Sequence, residues 1–133
     1  PMNITYGGPV APEDVPRVME AHDLMLLPSH RAAEGYPGVL IEAMQLGLPI
    51  VTSDLPNIRE LVQVGRNGFS VSIGDRHALG DAILKIINDP VLFRSLQYGA
   101  IEAGELYRSQ AVVSAISDQI RSDIKGRKQL CVE

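Results

Sequence analysis

Apolar and polar positions alternate in blocks along the chain, and the blocks change period. Residues 3–6 are short and β-prone, and Gly7-Gly8-Pro9 stops them. Over residues 13–21, Val15, Val18 and Met19 repeat at helical spacing behind an acidic first turn, which predicts a helix. Leu24-Met25-Leu26-Leu27 is a continuous apolar run closed by Pro28-Ser29, the pattern of a buried parallel strand. A polar loop over 29–37 leads to a predicted short helix at 38–46, stopped by Gly47. Pro49-Ile50-Val51-Thr52-Ser53 reads as the next strand, and Asp54 and Pro56 start a predicted short helix through Val62, closed by Gly65. Gly68-Phe69-Ser70-Val71 is strand-like again.

From Asp75 onward the pattern is helical. Asp75 can cap a helix that carries Leu79, Ala82, Ile83, Ile86 and Ile87 on one face. Asp89-Pro90 sets a cap followed by proline in the first turn of a second helix, expected to reach about Tyr107. Ser109 can cap a third, with Val112, Val113, Ile116, Ile120 and Ile124 in register, ahead of a basic tail. Buried strands alternating with helices predict an α/β fold with a parallel, Rossmann-like sheet. In such sheets ligands bind beyond the carboxyl ends of the strands, which singles out the loops at 7–11, 29–38 and 54–57.

Composition narrows the function. With 45% hydrophobic and 21% charged residues, 133 residues suit one globular domain, and the longest apolar run is far too short for a membrane span. Twelve Lys and Arg against 16 Asp and Glu leave a net charge of −4, which disfavours nucleic acid as a partner. One cysteine, Cys131, allows no internal disulfide and points to a reducing cytoplasm. No phosphate-loop motif Gly-x4-Gly-Lys-Ser/Thr occurs, and the histidines His22 and His77 show no metal-ligand spacing. His30 reads as a solvated loop residue.

The segment from Glu34 to Met44 carries the chemistry. It follows a buried strand and opens a helix, and the free N–H groups of a helix start suit an anion such as a diphosphate. Gly35 and Gly38 would let a ligand approach the backbone. Glu34 sits at the mouth of this pocket, although loop glutamates are common. Glu42 is flanked by Val39, Leu40, Ile41, Ala43 and Met44, so the helix reads as apolar nearly all round. A carboxylate there must be paired or functional: it caps a neighbouring backbone, pairs with Arg59 or Arg31, or holds a ribose diol.

Leu27-Pro28-Ser29, Glu34-Gly35-Tyr36-Pro37, Glu42-Ala43-Met44 and Gly47-Leu48-Pro49-Ile50-Val51 together resemble the family 4 glycosyltransferases. Ile58-Arg59-Glu60-Leu61-Val62, Gly65, Asn67-Gly68 and Ala78-Leu79 continue the likeness, which covers roughly 3–120. The resemblance implies the GT-B architecture, of which this chain would be part of the C-terminal, donor-binding domain. It implies transfer of a sugar from a nucleotide diphosphate with retention of configuration, and no metal or other cofactor. By that resemblance Glu34 takes the catalytic position against the donor sugar. The backbone of Gly35, Tyr36, Gly38, Val39 and Leu40 meets the sugar and diphosphate, Glu42 binds the ribose, and the loop at 8–10 lies near the base. Pro37 departs from the glycine of many relatives and removes one N–H donor.

Further expectations follow from that likeness. The N-terminal acceptor domain and the first strands of the donor domain would be absent, which leaves the isolated chain inactive. The incomplete sheet would either pair residues 3–6 with the strand at 24–27 or recruit a second copy, giving a homodimer. The expected partner is a nucleotide sugar, and the expected location is the cytoplasm, at the inner face of a membrane where the acceptor is a lipid. The competing readings are a nucleotide-sugar epimerase of the same fold and a non-catalytic interaction domain.

Overall fold

A computed structural model describes residues 4–30 and 37–130, with side chains through Arg121. Three parallel strands, β1 (Met25–Leu27), β2 (Ile50–Ser53) and β3 (Gly68–Val71), form one sheet in the order β1-β2-β3. Leu26 pairs with Val51, and Val51 with Phe69. A 3-10 turn at Pro12–Asp14 precedes α1 (Val15–Glu20), and α2 (Gly38–Gln45) connects β1 to β2. Three helices follow the sheet: α3 (Arg76–Asn88), α4 (Pro90–Glu105) and α5 (Ser109–Leu130).

Strand β2 is the middle of the molecule, and all four of its residues are buried. Its side chains alternate between two cores, as the two-residue period of a strand requires. Ile50 packs with Leu40 and Met44 of α2 and with Leu55 and Ile58. Val51 packs on the opposite face with Ala82 and Ile86 of α3. Helix α4 serves both cores, through Ala100 on the α2 side and Leu96 on the α3 side.

The predicted helix boundaries have visible causes. Helix α2 stops because Gly47 takes φ +74. Its N–H donates to the Met44 carbonyl at 2.9 Å, and Leu48 N–H donates to Ala43 at 2.9 Å, a Schellman closure. Asp75 caps α3 by accepting from Ala78 N–H at 2.9 Å. Asp89 caps α4 by accepting from Val91 and Leu92 N–H, both at 3.0 Å, with Pro90 in the first turn.

Two expected elements are not formed. Residues 4–6 are not a strand, and Ile4 and Tyr6 are 77% and 89% exposed. A strand needs a partner, and among the described residues nothing pairs with β1 on its outer side. The expected helix after Asp54 is a series of turns over 56–61. The buried side chain of Asn67 ends the helical path there. Its amide donates to the Leu61 carbonyl at 2.8 Å, and its oxygen accepts from Gln63 N–H at 2.8 Å. Helix α5 forms as expected, but Val113, Ile116 and Ile120 on it are more than half exposed. The Ile124 side chain lies outside the described residues, as does Asn3.

Glycines test this packing in opposite directions. A Cβ on Gly99 would stand 2.0 Å from the Arg66 carbonyl oxygen, a backbone atom that cannot swing aside. Alanine in place of a helix glycine gains about 1 kcal/mol of propensity, while forced overpacking costs about 1–3 kcal/mol or more. The clash wins, so Gly99→Ala lowers the melting temperature by several degrees. A Cβ on Gly80 in α3 meets nothing within 4 Å, so Gly80→Ala raises it. Thermal unfolding of the two variants checks the packing, and movement in the same direction contradicts it.

Candidate functional site

The carboxyl ends of β1, β2 and β3 point to one edge of the sheet, as parallel pairing dictates. Two hydroxyls at the end of β2 fix the chain leaving β1. Thr52 Oγ1 donates to the Leu27 carbonyl at 2.9 Å, and Ser53 Oγ accepts from Ser29 N–H at 3.0 Å. Both residues are almost wholly buried, so these bonds satisfy groups that would otherwise be costly to bury. They anchor the start of the loop that runs to α2.

On the far side of that loop, α2 opens without a side-chain cap. Pro37 is its N-cap in extended conformation and carries no N–H. Leu40 N–H donates back to the Pro37 carbonyl at 3.0 Å. The N–H groups of Gly38 and Val39 are therefore the first-turn donors left over among the described residues. Leu40 is fully buried in the core, so its side chain is structural and its amide is already engaged. Val39 is half-buried against Leu48 and Met19. Gly38 is exposed, and a Cβ on it meets nothing within 4 Å.

Glu42 corrects an expectation. It is exposed rather than buried, and it has no hydrogen bond or ion pair among the described residues. Four residues make about one helical turn, which puts Glu42 on the same open stripe as Gly38, while Leu40, Ala43 and Met44 face the cores. Arg59 is not its partner. Arg59 forms a two-pronged pair with Asp54, Nε to Oδ1 at 2.8 Å and an Nη to Oδ2 at 3.0 Å. Glu34, Gly35, Tyr36 and Arg31 lie outside the described residues.

The remaining expectations divide. His30 is exposed, as a loop histidine should be. Val10, from the loop expected near a base, lines an apolar groove of about 300 Å³ with Val18, Met19, Leu24, Met25 and Leu48. Leu24, Met25 and Leu48 belong to the entries of β1 and β2, the opposite end from the carboxyl edge. Thr52 and Ser53 read in the sequence only as the end of a strand, and the structure gives them this second part. Its signal was available, since hydroxyls ending an apolar strand must find partners when buried.

Three parallel strands flanked by helices on both faces define a Rossmann-like class of domain, with the start of α2 at the carboxyl edge of its sheet. The family model described as "Glycosyl transferases group 1" matches residues 2–89, and the chain belongs to this family. It is 31% identical over 120 residues to the N-acetyl-alpha-D-glucosaminyl L-malate synthase of Bacillus anthracis, which covers 86% of this chain and 31% of that protein. Among solved structures, sucrose-phosphate synthase from Thermosynechococcus elongatus superimposes with a TM-score of 0.77 at 26% identity, covering 92% of this chain and 30% of that one. Anabaena Alr3699/HepE in complex with UDP gives a TM-score of 0.74 at 28% identity, covering 82% and 30%. It has also been solved in complex with UDP-glucose. The chain thus has the fold of part of a GT-B glycosyltransferase and spans about three-tenths of the length of these relatives.

The Asp54–Arg59 pair gives this edge a pH signature. The hydrogen bond from Arg59, helped by its charge, holds the Asp54 carboxyl below the usual carboxylate value of 3.8 against a smaller opposing effect of desolvation. A carboxyl depressed in the folded state stabilises the fold above its unfolded value, and that contribution is lost as pH falls through the lowered folded value. Both side chains are substantially exposed, so the effect on stability is small. A carbon-13 titration of the Asp54 carboxyl should show a midpoint below 3.8 that returns upward in Arg59→Gln. Equal midpoints in the two proteins would dissolve the pair.

Proposed function

We propose that this chain is the donor-binding portion of a retaining glycosyltransferase that takes a nucleotide-diphosphate sugar. The observation that carries the reading is the uncapped start of α2. Gly38 and Val39 N–H are unengaged among the described residues, Gly38 has open space above it, and Glu42 stands free one turn along the same stripe. Cleaving the sugar–phosphate bond gathers negative charge on the leaving diphosphate. Preorganised N–H donors at the positive end of a helix stabilise that charge where it develops. An exposed carboxylate can accept both hydroxyls of a ribose diol. In this reading Gly38 and Val39 face the diphosphate, Glu42 holds the ribose, and Glu34, with Gly35 and Tyr36 beside it, faces the donor sugar. Leu40 contributes shape rather than a donor. The nucleotide sugar is the substrate, and the reading invokes no metal or other cofactor.

The likeness to a protein solved with UDP and with UDP-glucose supports a uridine donor as the first to try. The reading favours polysaccharide or glycoconjugate synthesis. The proposed location is the cytoplasm, at a membrane's inner face for a lipid acceptor. No described helix is long and apolar enough to cross a membrane. The domain is read as a single partial unit, and turnover by the isolated chain is not expected.

Calorimetry of the folded chain with UDP, GDP and their sugars tests the donor site. Gly38→Ala should weaken binding by about tenfold, because the new methyl occupies the approach to the helix start, yet leave the melting temperature equal or higher. Glu42→Gln should lose a similar factor without loss of stability, since Glu42 supports no packing. Absence of heat with every nucleotide, or full affinity in both variants, defeats the reading.

The outer edge of β1 supports a second proposal, a homodimer in which the unpaired strand meets its copy. Leu26 on that strand is 44% exposed. Light scattering should give twice the chain mass, and a monomer at high concentration removes the proposal.

A further inference from the structure

Strand β1 is held from one side only. Among the described residues its single strand neighbour is β2, and Leu26 in its middle is exposed. An edge strand that runs out into a loop opens easily at its last residues. Here the strand ends at Leu27, and Pro28 and Ser29 lead away from the sheet. Proline fixes its own φ and keeps the residue before it extended. Between the peptide plane before Pro28 and the plane after it, only Pro28 ψ is left to turn.

Thr52 and Ser53 close that torsion. The carbonyl that accepts from Thr52 Oγ1 at 2.9 Å belongs to the plane before Pro28. The N–H that donates to Ser53 Oγ at 3.0 Å belongs to the plane after it. Both planes are therefore tied to consecutive residues of one buried strand. The Ser53 carbonyl lies 3.5 Å from Thr52 Oγ1, where a hydrogen bond is weak, so the Leu27 carbonyl keeps the proton. Consecutive strand residues point to opposite faces, Thr52 to the Ile50 face and Ser53 to the Val51 face. The grip on Pro28 thus comes from both faces, and a tilt toward either stretches one bond. Thr52 and Ser53 are 0% and 3% exposed, so water does not substitute for these bonds. Buried hydroxyls need partners wherever they sit. What is particular here is that both partners flank one proline at the root of one loop.

We infer that Thr52 and Ser53 are positioning residues of the donor site, which set the direction of the chain from β1 toward Glu34 by fixing Pro28 ψ. The inference rests on the donor reading for what that loop holds, and in it neither hydroxyl touches the ligand. Glu34 follows Ser29 by five residues. Helix α2, whose start faces the diphosphate, is held independently by Leu40 and Met44 in the core. The clamp therefore acts on the sugar end of the donor more than on the nucleotide end. Its loss lowers the preference for the sugar nucleotide over the bare nucleotide, which a general weakening of the fold does not do.

Calorimetry of the full chain with UDP and UDP-glucose, and with GDP and GDP-mannose, tests this beside hydrogen exchange at the Ser29 amide. Ser53→Ala should speed Ser29 exchange severalfold. It should lower the ratio of sugar-nucleotide to nucleotide affinity about fivefold, the size of one neutral hydrogen bond. Thr52→Val, which keeps the shape and loses the hydroxyl, should lower the same ratio. Thr52→Ser, which keeps the hydroxyl, should bind as the parent does. Exchange at the Ala78 amide, capped by Asp75, should stay unchanged in all three. With a sugar nucleotide bound by the parent, an unchanged ratio in Ser53→Ala and Thr52→Val overturns the inference alone. So does an equal loss for nucleotide and sugar nucleotide, which marks a purely structural role, and so does unchanged Ser29 exchange in Ser53→Ala. If Thr52→Val does not fold, Ser53→Ala decides by the same two readouts. A parent chain that binds no sugar nucleotide defeats the donor reading, and the inference with it.

Discussion

Everything near the carboxyl edge depends on how completely β2 is enclosed. Its residues have strand neighbours on both edges and a helical core on both faces. A strand so placed cannot shift register by one residue without exchanging Ile50 and Val51 between cores, so its position is fixed firmly. That rigidity passes outward through two hydroxyls. Thr52 and Ser53 sit where the strand ends, and their bonds to Leu27 and Ser29 hold the neighbouring chain in place. Binding loops work best when a rigid scaffold presents them, and here the scaffold reaches the root of the loop directly.

The same enclosure explains what was legible in the sequence. Gly47, Asp75 and Asp89-Pro90 state helix ends in local chemistry, and each acts as its residue type predicts. The strand at 68–71 and the apolar run at 24–27 are likewise local signals. Residues 4–6 have the composition of a strand, but pairing is a property of two segments and composition describes one. The stretch after Asp54 has helical character that Asn67 overrides from several residues further on, through bonds that a propensity cannot register.

Glu42 shows a different kind of misreading. Its sequence neighbours are apolar, and counting them suggests a buried carboxylate. Burial in a helix follows angle rather than adjacency. Four residues from Gly38, Glu42 falls on the one stripe that neither core uses. A buried, paired glutamate would have been structural, whereas an exposed one with no partner among the described residues is available to a ligand. Likewise, Pro37 removes a donor and the 3-10 bond from Leu40 occupies another, so the helix start is narrower than the motif alone implies.

Charge separates what this chain can hold from what it can neutralise. Arg17, Arg59, Arg66, Arg108 and Arg121 each face a carboxylate, Lys85 lies 5.0 Å over the Phe69 ring, and Arg76 and Arg94 lie on α3 and α4 rather than at the start of α2. With a net charge of −4 the chain repels a diphosphate at long range. At the start of α2 itself, attraction comes from short-range dipoles, whose effect fades within a turn. Dipoles can orient a diphosphate and favour charge that develops at one oxygen. They cannot balance two or three full charges as paired cations would. Donor recognition and leaving-group neutralisation are thus separable physical tasks, and the described residues are equipped for the first.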